Sequence, residues 1–312
     1  MEKYSVLMAV YYKEKAEYLR SAVESMLQQT VPPDEFVLVC DGVLTQPLNA
    51  LIAQFCAQSP HLFHIVRLEK NLGLGAALNA GLLQCRNELV ARMDSDDIAV
   101  RDRMEKQLAE MEKDPEVSVL GGQIAEFYDS PERILAYRTV PTEESQIREF
   151  LKHRSPMNHT TVVLRKSHVL RVGNYSDTSG FEDYILWIKL VAGGYRMRNI
   201  RDVCCRVRAD AGMYARRGGA KYFQDTVKME RFLLEKEIIS RRQFWLNIAV
   251  RFIGTMLLPS GVRRIVFLRF LRRRNLETAA HSPRKFRRLQ VSPFKNGDLL
   301  FQREIPGQTY IE

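Results

Sequence analysis

A continuous apolar run from Ser5 to Tyr11 opens the chain as a buried strand. Over Ala16 to Gln29 the apolar positions change period: Leu19, Val23, Met26 and Leu27 fall on one helical face, and Thr30-Val31-Pro32-Pro33 stops the helix. The alternation continues with a strand over Glu35 to Cys40, a helix over Leu48 to Ala57 and a strand over Phe63 to Leu68. A helix over Gly75 to Gln84 and a strand over Glu88 to Met93 follow. Strands alternating with helices predict an α/β fold whose parallel sheet is covered on both faces. Beyond it the pattern predicts a helix from about Arg101 to Lys113, a strand over Val117 to Phe127 and a helix over Phe181 to Val191. Residues 130–170 are mixed and less regular.

Ligands of such sheets bind at the carboxyl ends of the strands, and two strand ends there are acidic. One ends at Asp41-Gly42, the other at Asp94-Ser95-Asp96-Asp97. Carboxylates this close repel one another unless a cation sits between them. Hard oxygen ligands suit Mg²⁺ or Mn²⁺, and Mg²⁺ is usually held by one or two carboxylates together with substrate phosphates. The turn therefore suits a metal-chelated diphosphate. The alternative is an acidic turn capping a helix that begins near Val100, because Asp is a preferred N-cap.

Composition narrows the class. With 312 residues, 46% hydrophobic and 27% charged, the chain has enough apolar residues for a substantial core, which excludes a disordered or fibrous protein. The net charge of +10 (47 basic residues against 37 acidic) calls for an anionic partner: nucleic acid, a membrane surface or a phosphorylated substrate. Nucleic acid fits least, since the basic residues cluster outside the sheet, no recognition motif occurs and the ligand rim is acidic. Five cysteines, Cys40, Cys56, Cys85, Cys204 and Cys205, show no CxxC spacing, so neither a disulfide framework nor a structural zinc site is expected. That usage fits a reducing cytosol. No signal peptide or spanning segment is expected.

The composition shifts near residue 240. Residues 241–274 hold nine arginines and no acid, threaded with Trp245, Leu246, Ile248, Val250, Phe252, Ile253, Met256, Leu257 and Leu258. This basic amphipathic helical region has two readings: an interfacial helix on anionic lipid, or a helix packed on the main domain with a solvated basic face. The expected organisation is a domain over 1–235, the basic segment over 236–275 and a polar tail over 276–312.

Several segments, in order, resemble family 2 glycosyltransferases. Ser5 to Tyr12, Ser25 to Thr30 and Leu38 to Gly42 resemble the family's opening; Asn71-Leu72-Gly73 with Ala77 to Gly81 matches its asparagine–glycine segment. Ala91 to Asp97 matches its DxD element, and Phe181-Glu182-Asp183-Tyr184 to Trp187 its Glu-Asp element. The likeness covers about residues 4 to 220 and is nearest to bacterial exopolysaccharide enzymes of the amylovoran and capsule type. It implies a GT-A fold, a Rossmann-like nucleotide half fused to an acceptor half, and inverting transfer of one sugar from a nucleotide-diphosphate sugar, most commonly UDP-linked. The implied acceptor is a glycan on polyprenyl diphosphate, with the enzyme cytoplasmic and peripheral on the inner face of the plasma membrane. The alternatives are a lipopolysaccharide or soluble acceptor, or a non-catalytic protein.

The resemblance also implies residue roles. Asp96, helped by Asp94, holds Mn²⁺ or Mg²⁺; Asp183 is the general base; Asp41 contacts nucleobase or ribose, and Asn71 and Gly73 approach the nucleotide. Asp97 either contacts the donor sugar or caps the next helix. Arg216 and Arg217 either close over the diphosphate or form a solvated basic loop. His159 either lines the site or is a satisfied structural histidine, and Cys204-Cys205 reads as buried packing. Two departures stand out. A single acid, in Cys40-Asp41, occupies the second strand end where the family often has two, and the Gln-x-x-Arg-Trp motif of processive members is absent.

Overall fold

The computed structural model describes residues 2–176, 180–209, 218–257 and Arg272. The first half runs β1 (Tyr4–Val10), α1 (Ala16–Leu27), β2 (Glu35–Cys40), α2 (Gln46–Gln58), β3 (Phe63–Arg67), α3 (Leu74–Gln84) and β4 (Leu89–Asp94). It continues with the short β5 (Ile98–Ala99), α4 (Arg103–Lys113), β6 (Val117–Phe127) and β7 (Ile134–Arg138). Then come α5 (Glu144–Leu151), a 3-10 turn at His159–Thr161, β8 (Val163–Arg165), α6 (Lys166–Arg171), α7 (Glu182–Ala192) and the long β9 (Arg196–Arg208). Two helices close the described chain: α8 (Ala220–Glu235) and α9 (Arg241–Phe252), the latter running into a π turn at Ile253–Leu257.

The strands lie in the order β3-β2-β1-β4-β8-β6-β9-β5, with β7 beside β6. From β3 to β4 every pairing is parallel, as the alternating pattern predicts. Beyond β4 the sheet is mixed: β8 is antiparallel to both β4 and β6, while β9 returns parallel to β6. The expectation of a parallel sheet thus holds for the first half only. The second half is built from residues 117–208, where the connections no longer follow a regular strand–helix rhythm.

Alternate residues of the buried strands face opposite sides. Tyr4, Val6 and Met8 of β1 join Leu19, Phe36, Leu48, Met104 and Leu108 in one apolar cluster under α1, α2 and α4. Leu7, Val37 and Val39 join Leu78, Trp187, Met229 and Phe244 in the other, under α3, α7, α8 and α9. Several elements go beyond the sequence pattern. The region 130–170 resolves into β7, α5, the 3-10 turn, β8 and α6, and β9 and α8 are additions. The helix expected near Val100 begins at Arg103, with Asp102 at its N-cap position.

Gly75, in the first turn of α3, lets that helix meet the entrance to α7. A Cβ on Gly75 would lie 2.2 Å from the Ser176 carbonyl oxygen and 3.1 Å from Glu182 Cβ. Because the nearest obstacle is backbone, Gly75→Ala is expected to push the two helix starts apart and cost about 1–3 kcal/mol, the usual range for overpacking. Urea unfolding measures it, and an unchanged midpoint would refute the close approach.

Candidate active site

The first wall of the site is a pair of loops at the carboxyl ends of β2 and β3. Asp41 follows β2 and is 4% exposed. Its carboxylate accepts hydrogen bonds from Asn71 Nδ2 at 2.9 Å, the Leu72 amide at 2.7 Å and the Gly73 amide at 3.0 Å. Gly42 and Gly73 adopt φ of +85° and +92°, a region that favours glycine. A Cβ at Gly42 would lie 2.6 Å from the Asn71 nitrogen, so the loops meet backbone to backbone. The structure thus assigns both Asp41 oxygens to shaping the Asn71–Gly73 loop. Tyr11, Val43 and Leu72, each just beyond or before an element of the same rim, stand exposed to solvent.

The acidic turn after β4 forms the floor. Arg92 lies two residues before Asp94 and therefore on the same face of the strand. Its guanidinium, 2% exposed, pairs through both terminal nitrogens with the Asp94 carboxylate, one contact being 2.6 Å. Ser95 Oγ donates to Glu14 Oε2 at 2.6 Å, tying the turn to the loop between β1 and α1. Burial, then the nearby Asp94 and Glu14 carboxylates, push the Asp96 carboxyl up to about 7. Asp97 is 2% exposed and accepts the Arg208 amide at 3.1 Å. Burial and the Asp96 and Asp94 charges raise its carboxyl well above the usual range. The capping alternative for this turn fails: Asp97 is spent on β9, and α4 starts six residues further on.

The third wall is the N-terminus of α7. Asp183 Oδ1 accepts the Tyr184 amide at 2.7 Å, and Ser155 Oγ stands 3.4 Å from Oδ2. Burial raises the Asp183 carboxyl, with the Tyr184 amide and the Arg138 and Arg92 charges pulling the other way. Burial and the Asp183 charge bring the adjoining Glu182 up to about 7. His159 hydrogen-bonds the Tyr175 hydroxyl at 3.0 Å and packs edge-on to Trp187. Burial and the Arg92 charge hold the imidazole well below its usual range, so it is neutral at pH 7. Cys204 and Cys205 are both 0% exposed, and all five cysteines are free thiols. Arg216 and Arg217 lie outside the described residues.

Asp94, Asp96 and Asp183 thus share the Arg92 charge, while Asp41, Asn71 and Gly73 form a loop at the start of α3, which meets the first turn of α7 through Gly75. The sequence reading missed Arg92, Glu14, Arg138 and Ser155. Only Arg92 carried a signal, an arginine inside an apolar strand with an acid at i+2.

The model of "Glycosyl transferase family 2" matches residues 5–176. The chain belongs to glycosyl transferase family 2. This glycosyltransferase is 42% identical over 271 residues to an uncharacterised glycosyltransferase of Haemophilus influenzae, covering 87% of this chain and 100% of the relative. It is 41% identical to the amylovoran biosynthesis glycosyltransferase AmsE of Erwinia amylovora, over 74% of this chain and 85% of that one. It is 38% identical to the Escherichia coli UDP-Gal:alpha-D-GlcNAc-diphosphoundecaprenol beta-1,3-galactosyltransferase, over 87% and 97%. Among solved structures it resembles S. aureus TarS 1-349 in complex with UDP-GlcNAc (TM-score 0.61, 17% identity, 89% of this chain and 77% of that one). It also resembles the mannosyltransferase PcManGT from Pyrobaculum calidifontis in complex with GDP-Man and Mn²⁺ (TM-score 0.59, 17% identity, 86% and 75%). These neighbours share the GT-A fold, and so does the glycosyltransferase.

Divalent metals are common in such enzymes, and the acidic turn fits one. Among the described residues no group of three acidic, histidine or cysteine side chains is arranged to hold an ion alone. One or two carboxylates with substrate phosphates is the usual Mg²⁺ set. On this turn Asp94 is paired with Arg92 and Asp97 accepts the Arg208 amide, which leaves Asp96, desolvated beside the Asp94 and Glu14 charges, as the carboxylate that would hold the ion.

A carboxyl raised in the folded state favours folding fully below its unfolded value near 3.8 and loses that contribution as pH rises through about 7. In the glycosyltransferase without metal, Asp96→Asn is therefore expected to be neutral near pH 4. At pH 8 it is expected to stabilise by ~1–2 kcal/mol. Thermal unfolding across pH checks this; destabilisation at pH 8 would show that the Asp96 charge is already compensated within the protein.

Proposed function

We propose that the protein is an inverting glycosyltransferase that moves one sugar from a UDP-sugar to a glycan on polyprenyl diphosphate, in exopolysaccharide or capsule biosynthesis. The observation that carries the reading is the desolvated carboxyl of Asp183 at the start of α7, which shares the buried Arg92 with the acidic turn. A carboxylate with a raised pKa is suited to taking a proton near neutral pH. The likeness over nearly the whole length of the diphosphoundecaprenol-dependent galactosyltransferase supports the donor and acceptor classes.

In this reading the acceptor hydroxyl gives its proton to Asp183 as its oxygen attacks the anomeric carbon. The bond from that carbon to the diphosphate breaks on the opposite face, and UDP leaves with the electron pair. Asp96, with Asp94 behind it, would hold Mn²⁺ or Mg²⁺, which when bound supplies positive charge against the leaving diphosphate. The loop shaped by Asp41, Asn71 and Gly73 carries the nucleoside, with Tyr11, Val43 and Leu72 offering apolar surface to the base. Arg216 and Arg217 suit the diphosphate because an arginine fork binds phosphate oxygens in pairs.

The same reading seats α9 on anionic lipid at the cytoplasmic leaflet. Trp245, Leu246, Val250, Ile253 and Leu257 are exposed, as are Arg241 and Arg242 beside them. Among the described residues no helix is long and apolar enough to cross a membrane, so the contact is interfacial.

Calorimetric titration with UDP tests the donor site. Metal-dependent binding is expected in the native protein and in Asp183→Ala, and is expected to lose its metal dependence in Asp96→Ala. Asp183→Ala is also expected to lower turnover by about 10²–10⁴-fold, the usual worth of a positioned base. Loss of UDP binding together with turnover would reject Asp183 as the base. For the membrane, the protein is expected to sediment with phosphatidylglycerol vesicles and to stay in solution as Trp245→Glu/Val250→Glu. Equal sedimentation of both would reject the α9 contact.

A further inference from the structure

Part of helix α9 is turned inside out. An ordinary surface helix buries its apolar stripe and exposes its polar one. In α9 the apolar residues Trp245, Leu246 and Val250 are 68%, 58% and 63% exposed, while Asn247 is 7% exposed and Arg251 reaches inward. Of its large apolar residues, Phe244 is buried in the core beneath and Ile248 packs partly against it.

The inward polar side grips one short loop. Arg251 Nε pairs at 2.6 Å with Glu230 of α8, whose side chain is 0% exposed. Arg251 Nη2 also donates to the His153 carbonyl at 2.9 Å. Asn247 Nδ2 donates to Glu230 Oε2 at 2.9 Å and to the Lys152 carbonyl at 2.8 Å. Two residues further along that loop, Ser155 presents its hydroxyl to Asp183. From the other side, Tyr184 Oη donates to the Leu151 carbonyl at 2.5 Å while the Tyr184 amide holds Asp183. Residues 151–155 are therefore fixed at one end by α9 and at the other touch the base. Arg138 completes the clamp by donating to the Ser155 carbonyl at 2.9 Å.

We propose that Asn247 and Arg251 are positioning residues for the transfer reaction, and that lipid contact on the outer face of α9 tightens their grip on residues 152–155 and so on Asp183. The inference rests on the proposed membrane contact and on Asp183 as base, and it adds that the two are coupled. Seating on an anionic lipid surface restrains α9, and the restraint passes through two side chains to two carbonyls and one serine. The enzyme is then most active where its lipid-carried acceptor resides.

Hydrogen exchange on the full chain, with and without vesicles of phosphatidylglycerol and phosphatidylethanolamine, tests it. Slower exchange is expected over 241–257 and, in the same experiment, over 151–155, with no change over the distant α2. Arg251→Lys keeps the charge opposite Glu230 but loses the fork that also reaches His153. Asn247→Leu removes the bonds to the Lys152 carbonyl and to Glu230. The double variant is expected to keep the vesicle effect over 241–257 and lose it over 151–155. Its kcat is expected to fall roughly tenfold, since small misplacements of a catalytic group cost up to about 10²-fold, with donor KM and metal-dependent UDP binding unchanged. Protection confined to 241–257 in the native protein, or undiminished transmission in the double variant, would overturn the coupling. Vesicles without effect on 241–257 would overturn the membrane contact itself, leaving the UDP and Asp183 results to stand separately.

Discussion

The buried guanidinium of Arg92 is the constraint around which the site is arranged. An arginine drawn out of water this completely persists only with an anion in good geometry beside it, and Asp94 supplies one through a two-point contact. Arg92 then acts on several acids, joined at Asp183 by Arg138. Asp96 and Asp97 follow Asp94 on the turn, and Glu182 and Asp183 open α7. Each has a carboxyl raised by burial, and Arg92 is among the charges acting on Asp96, Glu182 and Asp183. Among the described residues the acids around Arg92 outnumber the arginines acting on them; under the proposed function that surplus would suit a divalent ion on the turn and a proton taken from an acceptor at α7.

Around this charge the backbone is brought unusually close. Gly42 abuts Asn71, and Gly75 abuts Ser176 and Glu182, so the Asn71–Gly73 loop and the first turn of α7 meet at the start of α3. Asp41 spends its carboxylate on the same junction, accepting two backbone amides and one side-chain amide. Preformed walls of this kind spare a ligand the cost of ordering them.

The sequence exposes the first half of the fold well. Strands buried on both faces read as unbroken apolar runs, and β1, β2, β3 and β4 lie within about a residue or two of their expected limits. Strand β9 escapes because five arginines between Arg196 and Arg208 obscure any apolar period, and its partner β6 is remote in sequence. The acidic turn and Asp183 are visible because carboxylates cluster at element ends. Ser155 and Arg138 are not, because they reach Asp183 from elements whose packing no local pattern encodes. Asp97 shows the limit of local chemistry. A preferred cap residue near a helix start instead bonds the backbone of β9, more than a hundred residues away.

Over part of its surface α9 inverts the usual energetic preference. Burying Glu230 with Arg251 forfeits hydration that apolar packing would not, and replacing such pairs by apolar residues is often neutral or stabilising. Exposing Trp245, Leu246 and Val250 to water adds a second cost, of order 25 cal/mol for each Å² of apolar surface left wet. Both are accounted for together if the outer face rests on lipid and the inner face must hold carbonyls, which apolar residues cannot do. The two carbonyls it holds, of Lys152 and His153, are those leading to Ser155 and the carboxyl of Asp183.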